Sequence, residues 1–233
     1  MSYILYEGPS LIDGKPIVVL MVGIKRSRNK KTGAMAQTYI LRSDISPVEA
    51  AKTLQDESVC GHCPHRQATG GSCYVNIAQG PNQVYKTYKQ GKYKVEDPRV
   101  AGAGLRIRVG TYGDPGAVPD YIWKELITNA IMWTGYSHQV ERSPELIGLC
   151  MASADTQEQA EKYQAEGWKT FRVKTVDEPL MHKEILCLNT TLGIQCEECG
   201  VCDGKTANVA INVHGLAHKI KNFEKWQTEL EAA

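Results

Sequence analysis

No apolar run in this chain approaches the roughly 18–20 residues that a membrane-spanning helix needs. The N-terminus lacks the basic-then-apolar layout of a secretory leader. The expectation is a chain that stays in the cytoplasm and has no membrane partner. An excess of one charge is also missing: 27 Lys and Arg stand against 26 Asp and Glu, a net of +1. That excludes a uniformly basic nucleic-acid coat and leaves only local patches. There is no G-x-x-x-x-G-K-[ST] phosphate loop, no H-E-x-x-H and no G-x-S-x-G. P-loop phosphoryl transfer and serine-triad hydrolysis are therefore disfavoured. Gly102-Ala103-Gly104 is too short to argue for a dinucleotide site. Internal repeats and low-complexity segments are absent, and a composition of 42% hydrophobic and 23% charged residues is that of an ordinary globular chain.

Cysteine, by contrast, is plentiful: eight in 233 residues. A reducing compartment argues against a disulfide framework and for metal or cluster ligands. Cys187-x8-Cys196-x2-Cys199-x2-Cys202 places four thiols within sixteen residues, the ligand count of zinc or of a [4Fe–4S] centre. The x2 spacings let a tight loop converge its thiolates, and Gly193, Gly200 and Gly204 supply backbone freedom. A second group is Cys60-x2-Cys63-Pro64-His65 with Cys73 ten residues on. With His62 and His65 nearby it reads as a Cys3His zinc site, or as three cysteines holding an iron–sulfur cluster with one open iron. A third reading has both loops supplying one shared site. Cys150, between Leu149 and Met151, reads as a buried core thiol.

Segments 16–24 and 37–42 read as two strands of an N-terminal hairpin joined by a long basic loop. Ser46-Pro47 starts a helix that runs to about residue 55. Residues 56–73 have no periodicity and read as a loop, and 82–90 reads as helical. Beyond residue 100, strands at 105–110, 135–139, 147–152, 168–174, 184–188 and 207–213 alternate with helices at 119–133 and 155–166, and helix 220–231 closes the chain. Ser153 or Asp155 is the expected N-cap of helix 155–166. The pattern predicts an α/β fold, a partial βα barrel or an open, mostly parallel sheet with an N-terminal β-hairpin and two cysteine-rich metal loops. It would form a single domain over 1–233, with the hairpin and first cysteine loop in 1–95 and the βα region in 100–233.

Sites in parallel α/β folds form at the carboxyl ends of strands. The expected strand ends carry Tyr112, Gly113 and Asp114; His138; Ser153; Arg172 and Lys174; Cys187; and His214. Asp114, His138 and His214 are candidate acid–base or ligand residues. Tyr112, Gly113 and Ser153 are candidate cofactor contacts, and Arg172 and Lys174 could hold an anionic group. Cys187 and His214 should then line the same mouth as Asp114.

Two basic stretches stand out against the neutral whole. Loop 25–31 holds Lys25, Arg26, Arg28, Lys30 and Lys31, and 85–94 interleaves three tyrosines with four lysines, Lys86 and Lys89 among them. Cations neutralise phosphates and aromatic faces stack bases, so these patches point to nucleic acid or a nucleotide.

Several blocks together carry a family resemblance: Cys60-Gly61-His62-Cys63-Pro64-His65-Arg66, Tyr112-Gly113-Asp114-Pro115, Gly135-Tyr136-Ser137-His138-Gln139, the run from Gly167 to Val173, and the cysteine loop ending in Val213-His214-Gly215. Over roughly 17–215 they resemble a family of phage and prophage proteins, which implies a phage-encoded protein in the host bacterial cytoplasm. A more distant similarity is to radical S-adenosylmethionine enzymes, which use a partial or full βα barrel and a three-cysteine cluster. That similarity implies the cluster role for Cys60, Cys63 and Cys73, an auxiliary cluster at Cys187, Cys196, Cys199 and Cys202, and S-adenosylmethionine as cofactor. The spacing there is x3 then x2, whereas this chain has x2 then x9.

The leading expectation is a metal-dependent enzyme, iron–sulfur before zinc, acting on nucleic acid or a nucleotide. Its rival is a non-enzymatic zinc protein that binds nucleic acid or a host protein. An electron-transfer role needs less scaffold than this chain has.

Overall fold

A computed structural model describes residues 2–24, 29–69 and 71–231. Ten strands form one sheet: β1 (Tyr3–Pro9), β2 (Pro16–Val22), β3 (Ala36–Arg42), β4 (Lys94–Val95), β5 (Arg106–Tyr112), β6 (Met132–Ser137), β7 (Met151–Ala154), β8 (Thr170–Lys174), β9 (Glu184–Leu186) and β10 (Asn208–Asn212). Their order is β4-β1-β2-β3-β5-β6-β7-β8-β10-β9. Among the described residues only β1/β2 and β2/β3 are antiparallel strand pairs, and every other neighbouring pair is parallel. This is the α/β class expected, an open, mostly parallel sheet with an N-terminal hairpin. The parallel pairing of β3 with β5 joins the N-terminal part and the βα region in one sheet. No helix among the described residues is long and apolar enough to cross a membrane.

β2 reads clearly as a strand because Ile17 to Met21 are all fully buried, as in a strand covered on both faces. β1 is absent from the sequence reading. Only Leu5 of it is buried, so it carries little core signal and is recruited by pairing with β2. Ser46 caps helix Pro47–Lys52 as expected, accepting the Glu49 N–H, but the helix ends at Lys52.

Three boundaries differ more, one of them strand 147–152, which is in fact Met151–Ala154. Helix 119–133 is in fact Asp120–Ile127, and Met132-Trp133 open β6. The Ile131-Met132-Trp133 run suits either period; pairing of Met132 with Arg106 of β5 decides for strand. Helix 155–166 is Gln157–Ala165, capped by Thr156, which accepts the Gln159 N–H. Ser153 and Asp155 stay at the strand end. The cysteine loops contain short helices, Glu57–Cys60, Leu188–Leu192 and Cys196–Cys199.

Alternation along each strand sorts residues between two faces. Ile107 and Val109 of β5 join the core with Trp123 and Leu126 of helix Asp120–Ile127. Helix Gln157–Ala165 packs on β7 and β8. The residues between these on the strands point to the other face, where the cavity lies.

Candidate functional site

A cavity of about 230 Å³ opens on that inner face at the carboxyl ends of the parallel strands. Arg108 and Tyr112 reach it from β5, Tyr136 and His138 from β6 and its end, and Ser153 and Asp155 from β7 and its end. Phe171 and Val173 of β8 and Val209 and Ile211 of β10 form its apolar wall.

All seven cysteines of the two loops line this one cavity. Cys150 does not. It is fully buried in the core, as expected, and burial pushes its thiol well up. The first loop closes on itself. Cys60 ends helix Glu57–Cys60, the Cys63 N–H donates to Cys60 O, and the Cys73 N–H donates to His65 O at 2.8 Å. That last bond returns Cys73 to the group despite its x9 spacing. In the second loop, the Cys187 N–H donates to Ala210 O of β10, and the Cys196 N–H donates to Lys31 O. Cys202 O accepts from the Gly135 N–H of β6. Gly204, at φ +79°, holds the loop against Cys150: a Cβ there would meet the Cys150 backbone at 2.7 Å.

Burial pushes the Cys60 thiol well up, and charge on Cys63, Asp56 or Cys73 pushes it further. Cys202 is pushed up to about 12, by burial first. The thiol of Cys73 is raised by burial as well, and so is that of Cys196. Such thiols resist ionising together unless a cation holds them as thiolates. Among the described residues no three cysteine sulfurs lie within 4.8 Å of one another. Thiolates about 2.3 Å from a single zinc ion lie within ~4 Å of each other. A cluster spaces its cysteines more widely, because iron and sulfide fill the gap.

The trio that does converge is His65, His138 and Asp155. Asp155 Oδ1 is 2.9 Å from His65 Nε2, and Asp155 Oδ2 is 3.3 Å from His138 Nε2. Burial opposes the Asp155 charge, but the imidazoles, His138 foremost, hold its carboxyl well below the usual carboxylate range. Burial likewise opposes charge on His138, yet Cys63 and Asp155 raise it well above its ordinary value, Cys63 as a hydrogen-bond partner too. His65 Nδ1 meets Ser72 Oγ at 2.7 Å, and its ring packs on Trp226 and Phe223 of the C-terminal helix Ala217–Glu231. His62, the other histidine of the first loop, is exposed and faces Glu57.

Asp114 lines the cavity, and both of its carboxylate oxygens are engaged. Oδ1 accepts from Ser137 Oγ (2.7 Å) and the Gly116 N–H (2.9 Å), and Oδ2 accepts from the His138 N–H (2.7 Å). Its own N–H donates to Val59 O, so it ties the first cysteine helix to the end of β6. Gly113 takes φ +82° beside Ile40. Among the described residues the buried Tyr112 hydroxyl has no hydrogen-bond partner. His214 Nδ1 faces Asn212 O at 3.0 Å and Nε2 faces Lys31 Nζ at 3.2 Å. Burial and the Lys31 charge lower its pKa, so the neutral ring accepts from the ammonium. Cys187 and His214 thus share the mouth with Asp114, as the strand-end argument requires.

Arg172 and Lys174 are placed elsewhere. Phe171 and Val173 take the inner positions of β8, so the two cations point to the opposite face. There Arg172 binds Glu184, Glu178 and Pro179 O, and Lys174 Nζ donates to Thr175 O and Glu178 O. Neither is available to a ligand in the cavity, which corrects the expectation that they hold an anionic group. The inward arginine is Arg108, which sequence reasoning missed. Its signal was the alternation Arg106, Ile107, Arg108, Val109.

Of the basic loop, Lys25, Arg26 and Arg28 lie outside the described residues. Lys30 and Lys31 give their carbonyls to the second cysteine loop, accepting from Gln195 and the Cys196 N–H. In the other patch, Tyr85 is buried in the core and Tyr88 donates to Glu7. Lys86 is exposed, and Lys89 lies over the rings of Tyr85 and Tyr88. Those tyrosines therefore offer no free stacking row. Comparison with protein-family models, with curated proteins and with solved structures finds no match.

Proposed function

We propose that the protein is an iron–sulfur enzyme whose reaction chamber is this cavity, acting on a small molecule of nucleotide size. The observation that carries the reading is that seven cysteines, from loops more than a hundred residues apart in sequence, line one cavity. Purely structural zinc loops have no need to face each other across a pocket. Cys60, Cys63 and Cys73 would hold one centre, and Cys187, Cys196, Cys199 and Cys202 the other. When bound on three thiolates, such a centre supplies an iron with an open position and a one-electron couple. This is also the arrangement the similarity to radical S-adenosylmethionine enzymes implies.

The chain's own groups do the rest. Asp155 holds the His138 ring, and His138 in turn meets Cys63. A proton can therefore be held beside the first cysteine group. Asp114 positions the His138 backbone and acts as a structural clamp. Phe223, fully buried on the C-terminal helix, closes one wall against water. At about 230 Å³ the cavity is smaller than the ~300–1,000 Å³ of most ligand sites, which favours a small substrate over a nucleic-acid duplex.

Protein purified without oxygen should carry iron and acid-labile sulfide, with broad visible absorbance. Replacing Cys60, Cys63 and Cys73 with alanine should remove about half of both, and replacing the second group should remove the other half. A colourless protein holding zinc and no sulfide would overturn the proposal.

A further inference from the structure

Arg108 is an anomaly among the buried charges. The residue is 8% exposed, and a guanidinium stays charged in any protein environment. Its Nη2 donates to the Tyr74 hydroxyl at 3.1 Å, and its head lies 5.4 Å from the Tyr136 ring. Among the described residues its buried Nε has no hydrogen-bond partner. Among the described residues no carboxylate pairs with it. The two acids that line the cavity are already committed, Asp114 to Ser137, Gly116 and His138, and Asp155 to the two imidazoles.

Arg172 shows what this fold does with a buried arginine whose role is structural. It receives a bidentate carboxylate, a second carboxylate and a carbonyl. An unpaired buried charge is costly. Arg108 is left without such a partner and aimed into the cavity.

A second cation stands on the same wall. Tyr74 bonds Arg108 through its hydroxyl and packs its ring on His214, centroids 5.6 Å apart. His214 accepts from Lys31 Nζ, and among the described residues no carboxylate forms a salt bridge with that ammonium. Arg108, Tyr74, His214 and Lys31 form one connected strip of the lining.

We propose that Arg108 and Lys31 form an anion-binding subsite of the cavity, which takes the carboxylate or phosphate group of the substrate. The guanidinium fork matches a two-oxygen anion, and the ammonium adds a point charge. The inference rests on the cavity being the ligand chamber of the proposed enzyme, and not on which metal the cysteines hold. Arg108 also lies within electrostatic reach of Cys196. The competing role is therefore counter-charge to the second cysteine group.

The test titrates the protein as isolated with inorganic phosphate, and separately with acetate, by calorimetry at low ionic strength. Saturable one-site binding of at least one of them is expected. Arg108→Gln should weaken it by about tenfold or more, the worth of charge-assisted hydrogen bonds. Lys31→Gln should weaken it by a smaller factor, and Lys52→Gln, an exposed control, should leave it unchanged. Metal content of the Arg108→Gln protein should equal that of the wild type. If that variant does not fold, Arg108→Lys, which keeps the charge and loses the fork, must still weaken binding. No saturable binding of either anion overturns the inference, as does wild-type affinity in the Arg108 variants. Loss of metal in Arg108→Gln assigns Arg108 to the cysteines and overturns it too. Zinc-loaded or metal-free protein that binds phosphate through Arg108 would uphold this subsite while removing the iron–sulfur reading.

Discussion

Arg172 and Arg108 are both arginines buried on the central strands of one sheet, and their neighbours set their roles. Arg172 sits opposite Ala210 in register, and the small side chain there lets it reach past β10 to Glu184 of β9. Both partners of that pair are fully buried. Arg172→Met leaves Glu184 as an uncompensated buried charge and should cost about 3–5 kcal/mol, read as a drop in the urea midpoint. Arg172→Met with Glu184→Leu should recover most of that loss, because well-packed apolar replacements of a buried pair are close to neutral. A double variant as unstable as the single one would show that the ion pair itself, and not the orphaned charge, holds the two strands together.

Elements position the cysteines through backbone contacts more than through their thiols. The second loop is pinned at Cys187 by β10, at Cys196 by Lys31 O, at Cys202 by Gly135, and at Gly204 by Cys150. Gly204 is the tightest of these, because a side chain would collide with backbone and the φ is positive. Gly204→Ala should displace Cys202 and lower metal content by the share of the second group, with the far-UV circular dichroism preserved. Full metal content in that variant would mean that Cys202 is not a ligand. The same loop explains part of the basic stretch: the carbonyls of Lys30 and Lys31 hold the second cysteine loop whatever their side chains do.

At the scale of the molecule, two loops distant in sequence meet at one cavity built on the carboxyl ends of six successive parallel strands. Folding there gathers thiols that burial pushes up, so a bound metal should stabilise the folded state by linkage. Removing the metal with a chelator should lower the thermal midpoint, and restoring it should recover the loss. An unchanged midpoint after complete removal would show that the cysteine groups are held by the fold alone.

Much of this arrangement is written in local patterns. The βα alternation sets the fold class, since a strand's or helix's period is carried by its own neighbours. The strand-end rule gathers Asp114, His138, Ser153, Cys187 and His214 on one cavity because parallel strands all end on the same side. Local pattern fails where a partner comes from far away. Asp155 looks like a helix cap next to its own helix, yet two imidazoles from other segments claim its carboxylate and Thr156 takes the cap. Cys73 is spaced too far for a tight loop, and a backbone bond to His65 returns it. Arg172 and Arg108 are the sharpest case, because moving one residue along a strand changes the face. The sequence by itself determined the α/β class, the grouping of seven cysteines into two loops and the end of the sheet where they gather, because these follow from short-range periodicity and chain direction. Only the tertiary structure decided which arginine faces the cavity, that both cysteine groups share it, and which acids are already engaged, because those depend on contacts between residues far apart in the chain.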